Sequence, residues 1–320
     1  MRAMTAQTYK VLVTPRSFGK NDPEPYRLLE RAGFEIARNP HGRILTREEM
    51  RAAARDADAI VVGVDPLDRG VLEAAPKLKA VAKYGVGTDN IDMEYCRERG
   101  IRVTVTTGAN AEAVADFALA LMLAAARRIV PIDAGCRRLE WGKVTGVDLH
   151  RRTLGLVGMG QIGKGVARRA RGFDMRILAY DLARDEAFAR ETGVEYVDSL
   201  HELAAASDFV SLHLPLTPAT HRLFGAELLA LMKPTAVLVN TARGGLIDED
   251  ALYDALKQGK IWGAGLDVFE QEPPANRALL ELDNLVIGSH TAASTFQAID
   301  NMGVMAARSL VDFFRGGTNE

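Results

Sequence analysis

The sequence predicts an α/β protein built from two doubly wound domains with parallel sheets. Short apolar and β-branched runs alternate with helix-like stretches along almost the whole chain. Continuous apolar strands separated by helices indicate parallel sheets that are covered on both faces. A length of 320 residues suggests about two domains of ordinary size.

The predicted elements of the two halves follow the same alternation. In the first half, strands are predicted at Lys10–Thr14, Ala59–Val62, Leu78–Lys83 and Arg102–Thr106, and helices at Glu24–Ala32, Thr46–Arg55 and Met93–Arg99. In the second half, strands are predicted at Thr153–Val157, Met175–Tyr180, Asp208–Leu214, Ala236–Asn240, Ala264–Val268 and Asn284–Ile287.

Two crossings indicate that the second domain is inserted into the first. The stretch Asn110–Arg128 has strong helix formers and few breakers. A second helix-like stretch, Thr291–Ala306, follows the last predicted strand and would return the chain to the first domain. We therefore assign residues 1–107 and 295–320 to one domain and 108–294 to the other, with a cleft expected between them.

Composition excludes several classes of function. The chain has 40 Lys+Arg against 42 Asp+Glu, so no strong basic field would attract nucleic acid. The longest uncharged apolar run, Phe117–Ala126, is too short to cross a bilayer, and the start lacks a secretory signal. Cys96 and Cys136 form neither a disulfide framework nor a metal-ligand set. We expect a soluble, cytoplasmic protein without a metal.

A glycine motif, Gly158-x-Gly160-x-x-Gly163, lies between the predicted strand Thr153–Val157 and a helix-like run at Gln161–Arg171. The first glycine permits a tight turn, the second lets the backbone approach a pyrophosphate, and the third allows close packing of helix and strand. In this context the motif predicts a dinucleotide site. The alternative interpretation is an ordinary turn.

The residues after the motif indicate which dinucleotide is bound. Amides near Gln161 and Ile162 would face the pyrophosphate along the helix dipole. Asp181 ends the next strand, where its carboxylate can accept hydrogen bonds from both ribose hydroxyls and repel the extra phosphate of NADP. We therefore predict NAD, although nearby Arg184 favours NADP. The alternative role of Asp181 is that of an ordinary carboxylate at a strand end.

Three late segments offer side chains for catalysis, each just beyond a predicted strand: Thr241–Gly245, Phe269–Pro274 and Ser289–Thr291. Ligands of open parallel sheets bind at such strand ends. The planar fork of Arg243 suits the carboxylate of a 2-oxo acid and can polarise the adjacent carbonyl. The alternative is a solvated surface charge.

Of the 6 histidines, only His213 and His290 stand at predicted strand ends. Histidine is the usual side chain for moving a proton near neutral pH. Glu272, at the neighbouring strand end, could favour the protonated imidazole of His290. A structural or surface histidine is the alternative in each case.

The chain resembles the D-isomer-specific 2-hydroxyacid dehydrogenases, most closely their short phosphoglycerate dehydrogenase-like branch. The matching segments occur in the order found in that family. They are YGVGTDNID (84–92), GANAEAVAD (108–116), GLVGMGQIG (155–163), HLPLT (213–217), NTARGGLIDEDAL (240–252), GLDVFEQEPP (265–274) and SHTAAST (289–295).

This resemblance implies a Rossmann domain carrying NAD, inserted into a flavodoxin-like substrate-binding domain. It implies reversible hydride transfer between nicotinamide and C2 of a D-2-hydroxy acid. By position, Arg243 would bind the carboxylate and the carbonyl oxygen, His290 would be the acid/base, and Glu272 would be its partner.

Further contacts are implied by the same resemblance. Asp267 would contact the nicotinamide carboxamide, with Thr241 and Ala242 beside the ring. Homodimers joined through the inserted domains are common in the family, which suggests a role for Arg128–Gly146, including Trp141; the alternative is an exposed apolar arm. The remaining implied residues are His213 and Pro215 for the cofactor, and Val86, Gly87 and Asn110 for the substrate.

The loop after the first predicted strand offers side chains that can face the far end of the substrate. Arg16, Lys20 and exposed amides could hold a phosphate or a second carboxylate, which favours 3-phosphoglycerate; the alternative is a solvated basic loop. The aromatic side chains of Phe18 and Tyr84 are also compatible with an apolar 2-oxo acid as the substrate. A hydroxypyruvate or glyoxylate reductase, or another D-2-hydroxyacid dehydrogenase, remains an alternative, and an NAD-responsive corepressor is a remote one.

Overall fold

The computed structural model describes residues 8–316. The predicted first domain also contains residues 1–7 and 317–320, and these lie outside the described residues. The chain divides into two compact units. One holds the described residues up to Asn110 together with those from Ser294 onwards, and the other is Ala111–Ala293.

Each unit is built on a parallel sheet. The first sheet contains β1 (Lys10–Val13), β2 (Glu35–Arg38), β3 (Ala59–Val62), β4 (Ala80–Lys83) and β5 (Arg102–Val105). The second contains β6 (Thr153–Val157), β7 (Arg176–Tyr180), β8 (Glu195–Tyr196), β9 (Phe209–Leu212), β10 (Val237–Asn240), β11 (Gly263–Leu266) and β12 (Leu285–Ile287).

Helices connect the strands in both units. In chain order they are α1 (Glu24–Arg31), α2 (Arg47–Ala54), α3 (Arg69–Glu73), α4 (Met93–Glu98), α5 (Ala111–Ala126), α6 (Ile129–Arg137), α7 (Gln161–Ala170), α8 (Glu186–Thr192), α9 (Leu200–Ala206), α10 (Ala226–Leu231), α11 (Glu249–Lys257), α12 (Arg277–Leu280) and α13 (Phe296–Phe314). Short 3-10 helices occur at Arg171–Phe173 and Gly244–Leu246.

The strand orders confirm the predicted fold class. The first sheet runs β2-β1-β3-β4-β5, and the second runs β12-β11-β10-β9-β6-β7-β8. Both are doubly wound orders, in which the direction of strand addition reverses within the sheet. Ligands bind outside the carboxyl ends of the strands near such a reversal, so a ligand of the second unit is expected at the loops after β6, β9, β10, β11 and β12.

Some elements of the structure have no counterpart among those predicted from the sequence. They include strands β2 and β8, the five-residue helix α3 and the helix α6. The prediction of a helix from Thr291 is wrong at its start, because α13 begins only at Phe296, where the side chain of Thr295 accepts a hydrogen bond from Ala298 N at 3.1 Å. Residues 291–295 are therefore a loop that follows β12.

Small residues on β11 explain how the apolar helix α5 packs on the second sheet. A methyl group added to Gly265 would lie 2.8 Å from Cβ of Leu121, closer than carbon atoms approach. Leu121 and Met122 are almost completely buried in this interface. Within residues 8–316, no helix is both long and apolar enough to span a membrane.

Candidate active site

Two of the predicted catalytic side chains are in contact at the carboxyl edge of the second sheet. Glu272 follows β11 and His290 follows β12, which pair side by side. Nδ1 of His290 lies 2.8 Å from Oε2 of Glu272. Both side chains are partly exposed, at 43% and 38%, so this pair is open to a small molecule.

The backbone of His290 has an unusual conformation. Its φ of +55° lies in the left-handed region, which costs a non-glycine residue about 1–3 kcal/mol. Its N–H donates to the carbonyl oxygen of Asp267 at 2.7 Å. The carboxylate of Asp267 accepts from Thr291 N at 2.9 Å and from Ala292 N at 2.8 Å. Asp267 therefore holds the loop that carries His290.

Asp267 was predicted to contact the nicotinamide carboxamide. In the structure, each of its carboxylate oxygens already accepts a backbone hydrogen bond, and the residue is 1% exposed. Burial raises the pKa of Asp267, and the N–H groups of Thr291 and Ala292 act in the opposite direction. This support of the histidine loop was not foreseen from the sequence, which showed only an acidic residue after an apolar strand.

The carboxylate of Glu272 is fixed at both oxygens. Phe269 N donates to Oε1 at 3.2 Å, while Oε2 faces His290. Partial burial acts to raise the pKa of Glu272, but the hydrogen bond and charge of His290, the N–H of Phe269 and the charge of Arg243 together outweigh it, so that the pKa lies below its usual value. Glu272 is therefore ionised at neutral pH and presents a negative charge to His290.

Arg243 follows β10, the neighbour of β11 in the sheet. Its backbone is held by Asn240, whose side chain donates to Arg243 O at 2.8 Å and accepts from Ala242 N at 3.0 Å. One guanidinium nitrogen donates to Ala242 O at 2.7 Å. Arg243 is half-buried, and its charge contributes to lowering the pKa of Glu272.

Gly244 allows two of the candidate segments to approach closely. A methyl group added there would lie 1.8 Å from the carbonyl carbon of Phe269 and 2.3 Å from Glu270 N. The chain after β10 therefore passes directly against the chain that leads to Glu272. Arg243, Glu272 and His290 all follow adjacent strands of the same unit.

The glycine motif lies at the start of α7. Gly158 has a φ of +96°, and a methyl group there would lie 2.4 Å from His213 O. A methyl group on Gly163 would lie 2.2 Å from Gly158 O. A side chain at Gly160 would meet no atom within 4 Å, so the backbone at this point is open to a ligand. Gln161 begins α7 and Ile162 follows it, with no side-chain cap at Gly160.

Asp181 comes directly after β7 and contacts the glycine loop. Its Oδ2 accepts from Met159 N at 2.6 Å, and its Oδ1 accepts from Ala183 N at 2.8 Å. Arg184 is ion-paired with Asp198 at 2.5 Å and stacks over the ring of Tyr196. Arg184, the residue whose charge favoured NADP in the sequence analysis, is therefore already paired with the carboxylate of Asp198.

Buried polar atoms at the same sheet edge have no partner within the described part of the chain. These are both ring nitrogens of His213, which follows β9, and Oγ1 of Thr241, which follows β10. Burial lowers the pKa of His213 to about 3, so its imidazole is neutral. Pro215 is exposed and Ala242 half-buried beside them.

These features fit a dinucleotide. An open backbone at a helix N-terminus suits a pyrophosphate, and a strand-end carboxylate suits a ribose. The unpaired buried groups of His213 and Thr241 are donors or acceptors that a bound ligand can satisfy. No cluster of three metal-ligating side chains occurs among residues 8–316.

The other predicted substrate residues belong to the first unit. Val86 and Gly87 follow β4, and Val86 is 42% exposed. Gly85 N donates to Oγ1 of Thr106 at 2.9 Å, which fixes the start of this loop. Asn110, half-buried, is the last residue before α5. Arg16 is exposed in the loop after β1.

A buried polar network in the first unit was not predicted. Lys83, at the end of β4, is 6% exposed, and its ammonium donates to Gly63 O and to Oδ1 of Asn90 at 2.8 Å. The side chain of Asn90 donates to Asp65 O at 2.6 Å. The network joins the loops after β3 and β4. Its sequence signal was a lysine that ends an otherwise apolar strand.

Comparison with known proteins identifies the family. Residues 119–292 match the model of the NAD-binding domain of D-isomer specific 2-hydroxyacid dehydrogenases. A glyoxylate reductase of Korarchaeum cryptofilum is 52% identical over 270 residues, which are 82% of this chain and 81% of that protein. The chain therefore belongs to the D-isomer specific 2-hydroxyacid dehydrogenase family, as the sequence motifs predicted.

Two further relatives agree with this assignment. A D-3-phosphoglycerate dehydrogenase of Methanocaldococcus jannaschii is 44% identical over 314 residues, covering 96% of this chain but 58% of that protein. The crystal structure of a D-lactate dehydrogenase of Aquifex aeolicus, complexed with NAD and lactic acid, has a TM-score of 0.83 and 33% identity, covering 96% of each chain. The protein is an NAD-dependent oxidoreductase that acts on a D-2-hydroxy acid or its 2-oxo acid.

Proposed function

We propose that this enzyme interconverts 3-phosphoglycerate and the corresponding 2-oxo acid, with Arg243, Glu272 and His290 carrying the chemistry. The observation that supports these roles is the 2.8 Å contact between His290 and Glu272 at a sheet edge that also carries Arg243. We also propose that the unit with the glycine motif binds NAD and that the other unit binds the substrate.

The contact with Glu272 assigns the proton on His290. An ionised carboxylate only accepts hydrogen bonds, so Nδ1 of the imidazole carries a hydrogen and Nε2 is left for the substrate. In oxidation, neutral His290 accepts the hydroxyl proton at Nε2. In reduction, the imidazolium returns that proton to the carbonyl oxygen. When bound, NAD would accept the hydride from C2 in oxidation, and NADH would supply it in reduction.

Arg243 is proposed to bind the substrate carboxylate and to stabilise negative charge that develops on the carbonyl oxygen. Removing one such preorganised donor costs on the order of 3 kcal/mol of transition-state stabilisation. We propose that backbone amides at Val86 and Gly87 also bind the carboxylate, and that Asn110 lies near the substrate.

The cofactor roles are proposals of the same kind. Gly158, Gly160, Gly163 and the amides of Gln161 and Ile162 would hold the pyrophosphate, and Asp181 would hold the ribose and select NAD over NADP. The further residues proposed to contact the cofactor are His213, Pro215, Thr241, Ala242 and Asp267.

The choice of substrate has two candidates. The phosphoglycerate dehydrogenase named above supports 3-phosphoglycerate, because its similarity extends over 96% of this chain. The glyoxylate reductase named above supports glyoxylate, because its identity is higher, at 52%. Basic residues in the loop after β1, at Arg16 and Lys20, favour the phosphorylated acid.

Initial rates of NADH oxidation with 3-phosphohydroxypyruvate, hydroxypyruvate and glyoxylate test this proposal. We expect kcat/KM to be highest for the phosphorylated acid. A higher value for glyoxylate would select the second candidate instead. Binding of NADH without turnover of any of these acids would contradict both substrate candidates and favour the corepressor-like alternative.

We further propose that the protein is a homodimer joined through the NAD-binding units. The segment after α5 exposes apolar side chains, among them Leu139 at 88% and Trp141 at 84%. Covering such side chains with a second copy would remove apolar area from water. Sedimentation equilibrium should give twice the chain mass for the wild type and more monomer for Trp141→Ala. A monomeric wild type would contradict the proposal.

A cytoplasmic location is proposed as well. Cys96 and Cys136 are unpaired, as is usual in a reducing compartment. Cell fractionation checks this expectation.

A further inference from the structure

The first unit contains a cavity that the predicted catalytic residues do not use. Its volume is about 340 Å³, and it opens at the carboxyl ends of β1 and β2. This volume lies at the lower end of the range for small-molecule sites, roughly 300–1,000 Å³, so there is room for more than a single bound ion.

Three cations line this cavity, namely Arg16, Lys20 and Arg38, and no carboxylate is among its lining residues. The side chains of Arg16 and Lys20 make no hydrogen bond or ion pair with any other residue in the range 8–316. Three positive charges without a counter-charge make the cavity attractive to an anion.

Of the three cations, Arg38 is the one whose guanidinium group is held in a defined orientation. Its guanidinium carbon lies 3.9 Å from the ring centroid of Tyr26, which also lines the cavity. Stacking on an aromatic face holds the plane of the guanidinium and leaves its charge unneutralised. The N–H fork is therefore prepared for two parallel hydrogen bonds to a phosphate.

We propose that this cavity receives the terminal phosphate of the 2-oxo acid, and that Arg38 is a specificity-determining residue for it. The inference rests on the proposed function, because it assigns the far end of the substrate whose C1 carboxylate is bound near Val86 and Gly87. Three cations suit a dianionic phosphate better than a carboxylate, which carries a single charge.

The sheet order makes this assignment sterically reasonable. Val86 and Gly87 follow β4, and β3 separates β4 from β1. With neighbouring strands about 4.8 Å apart, the ends of β4 and β1 are about 10 Å apart. A three-carbon acid with a terminal phosphate can bridge this distance together with a long arginine or lysine side chain. Glyoxylate has no atoms beyond its carbonyl carbon and cannot reach the cavity.

Two variants of the full-length enzyme test the proposal, Arg38→Gln and Arg16→Gln. Arg27→Gln is the matched control, because Arg27 is an exposed arginine of α1 that does not line the cavity. All three substitutions remove one surface charge, and thermal melting verifies that each variant is folded. Initial rates are measured with 3-phosphohydroxypyruvate, glyoxylate and 2-oxoglutarate, and inorganic phosphate is added as an inhibitor.

We expect Arg38→Gln to lower kcat/KM for 3-phosphohydroxypyruvate by about tenfold or more relative to its effect on glyoxylate, mostly through KM, as for a lost charge-assisted hydrogen bond. Arg16→Gln should act in the same direction, and Arg27→Gln should not discriminate between the substrates. Inorganic phosphate should compete with 3-phosphohydroxypyruvate in the wild type and more weakly in Arg38→Gln.

Several outcomes would overturn the inference. Equal losses for the phosphorylated acid and glyoxylate would remove the cavity from substrate recognition, while the proposed function would stand. A larger loss for 2-oxoglutarate would assign the cavity to a carboxylate. Inhibition by phosphate that does not compete with the substrate would identify a separate effector site. A wild type that turns over glyoxylate and no acid with an anionic tail would also exclude the cavity as a tail site.

Discussion

His290→Ala is expected to lower kcat for reduction of the 2-oxo acid by about 10²–10⁴-fold, the usual contribution of a general acid. The affinity for NADH should be nearly unchanged, because the glycine motif and Asp181 lie on other segments of the unit. Steady-state rates give the first quantity, and quenching of protein fluorescence by NADH gives the second.

His201→Ala is the matched control for this variant. His201 also contacts a carboxylate, with Nε2 2.7 Å from Oε1 of Glu227, but it lies on α9 away from the strand ends. It should keep wild-type turnover. His290→Gly should be as inactive as His290→Ala and no less stable to heat, since glycine accepts the left-handed backbone of this position. Near-normal turnover of either His290 variant would exclude the residue as the acid/base.

The pH dependence of Glu272 has a definite sign. Because the hydrogen bond and charge of His290 help to hold the pKa of Glu272 below its usual value, the carboxylate stays ionised through the neutral range and is protonated only at acid pH. Protonation there removes the charge that faces His290, so kcat/KM of the wild type should fall on the acid side. Glu272→Gln removes this titratable group, so that acid limb should be absent from its profile. An acid limb that is unchanged in Glu272→Gln would show that ionisation of Glu272 has no effect on the reaction.

Gly244→Ala is expected to cause the largest structural loss. The added methyl group would lie 1.8 Å from the carbonyl carbon of Phe269, and the atoms it meets are backbone atoms that cannot rotate away. We expect a loss of about 3 kcal/mol in the free energy of unfolding, near the upper end of overpacking costs. Displacement of the segments that carry Arg243 and Glu272 should also lower kcat/KM on the order of 100-fold.

Gly172→Ala provides the comparison for this substitution. Gly172 lies in the same unit, and a methyl group there would meet no atom within 4 Å. Urea unfolding and initial rates should both match the wild type. If Gly244→Ala were as stable and active as Gly172→Ala, the close approach of the two segments would be needed neither for stability nor for activity.

The candidate catalytic residues could be located from the sequence because the ends of the strands can be recognised in it. Arg243, Glu272 and His290 each follow a short apolar run, and parallel strands gather their carboxyl ends at one edge. The left-handed backbone of His290 and the use of Asp267 to hold its loop could not be predicted. Both depend on how the loops after β11 and β12 meet in three dimensions.

The cavity of the first unit shows a different limit of sequence analysis. Strand β2 was missed because its four residues, Glu-Ile-Ala-Arg, begin and end with exposed charged side chains, so it lacks a continuous apolar run. Without β2, nothing in the sequence places Arg38 beside Arg16. The basic loop after β1 was recognised, but the third cation and the stacking ring of Tyr26 needed the folded sheet.

The division of labour between the two units has an evolutionary consequence. Every residue proposed to move the proton or hold the nucleotide falls within Ala111–Ala293, whereas the cations proposed to recognise the substrate tail fall outside it. Duplicated copies of such a gene can therefore diverge toward new acids by changing a few codons for the loop after β1 and the end of β2. The inner region, with its reaction chemistry, can be inherited intact.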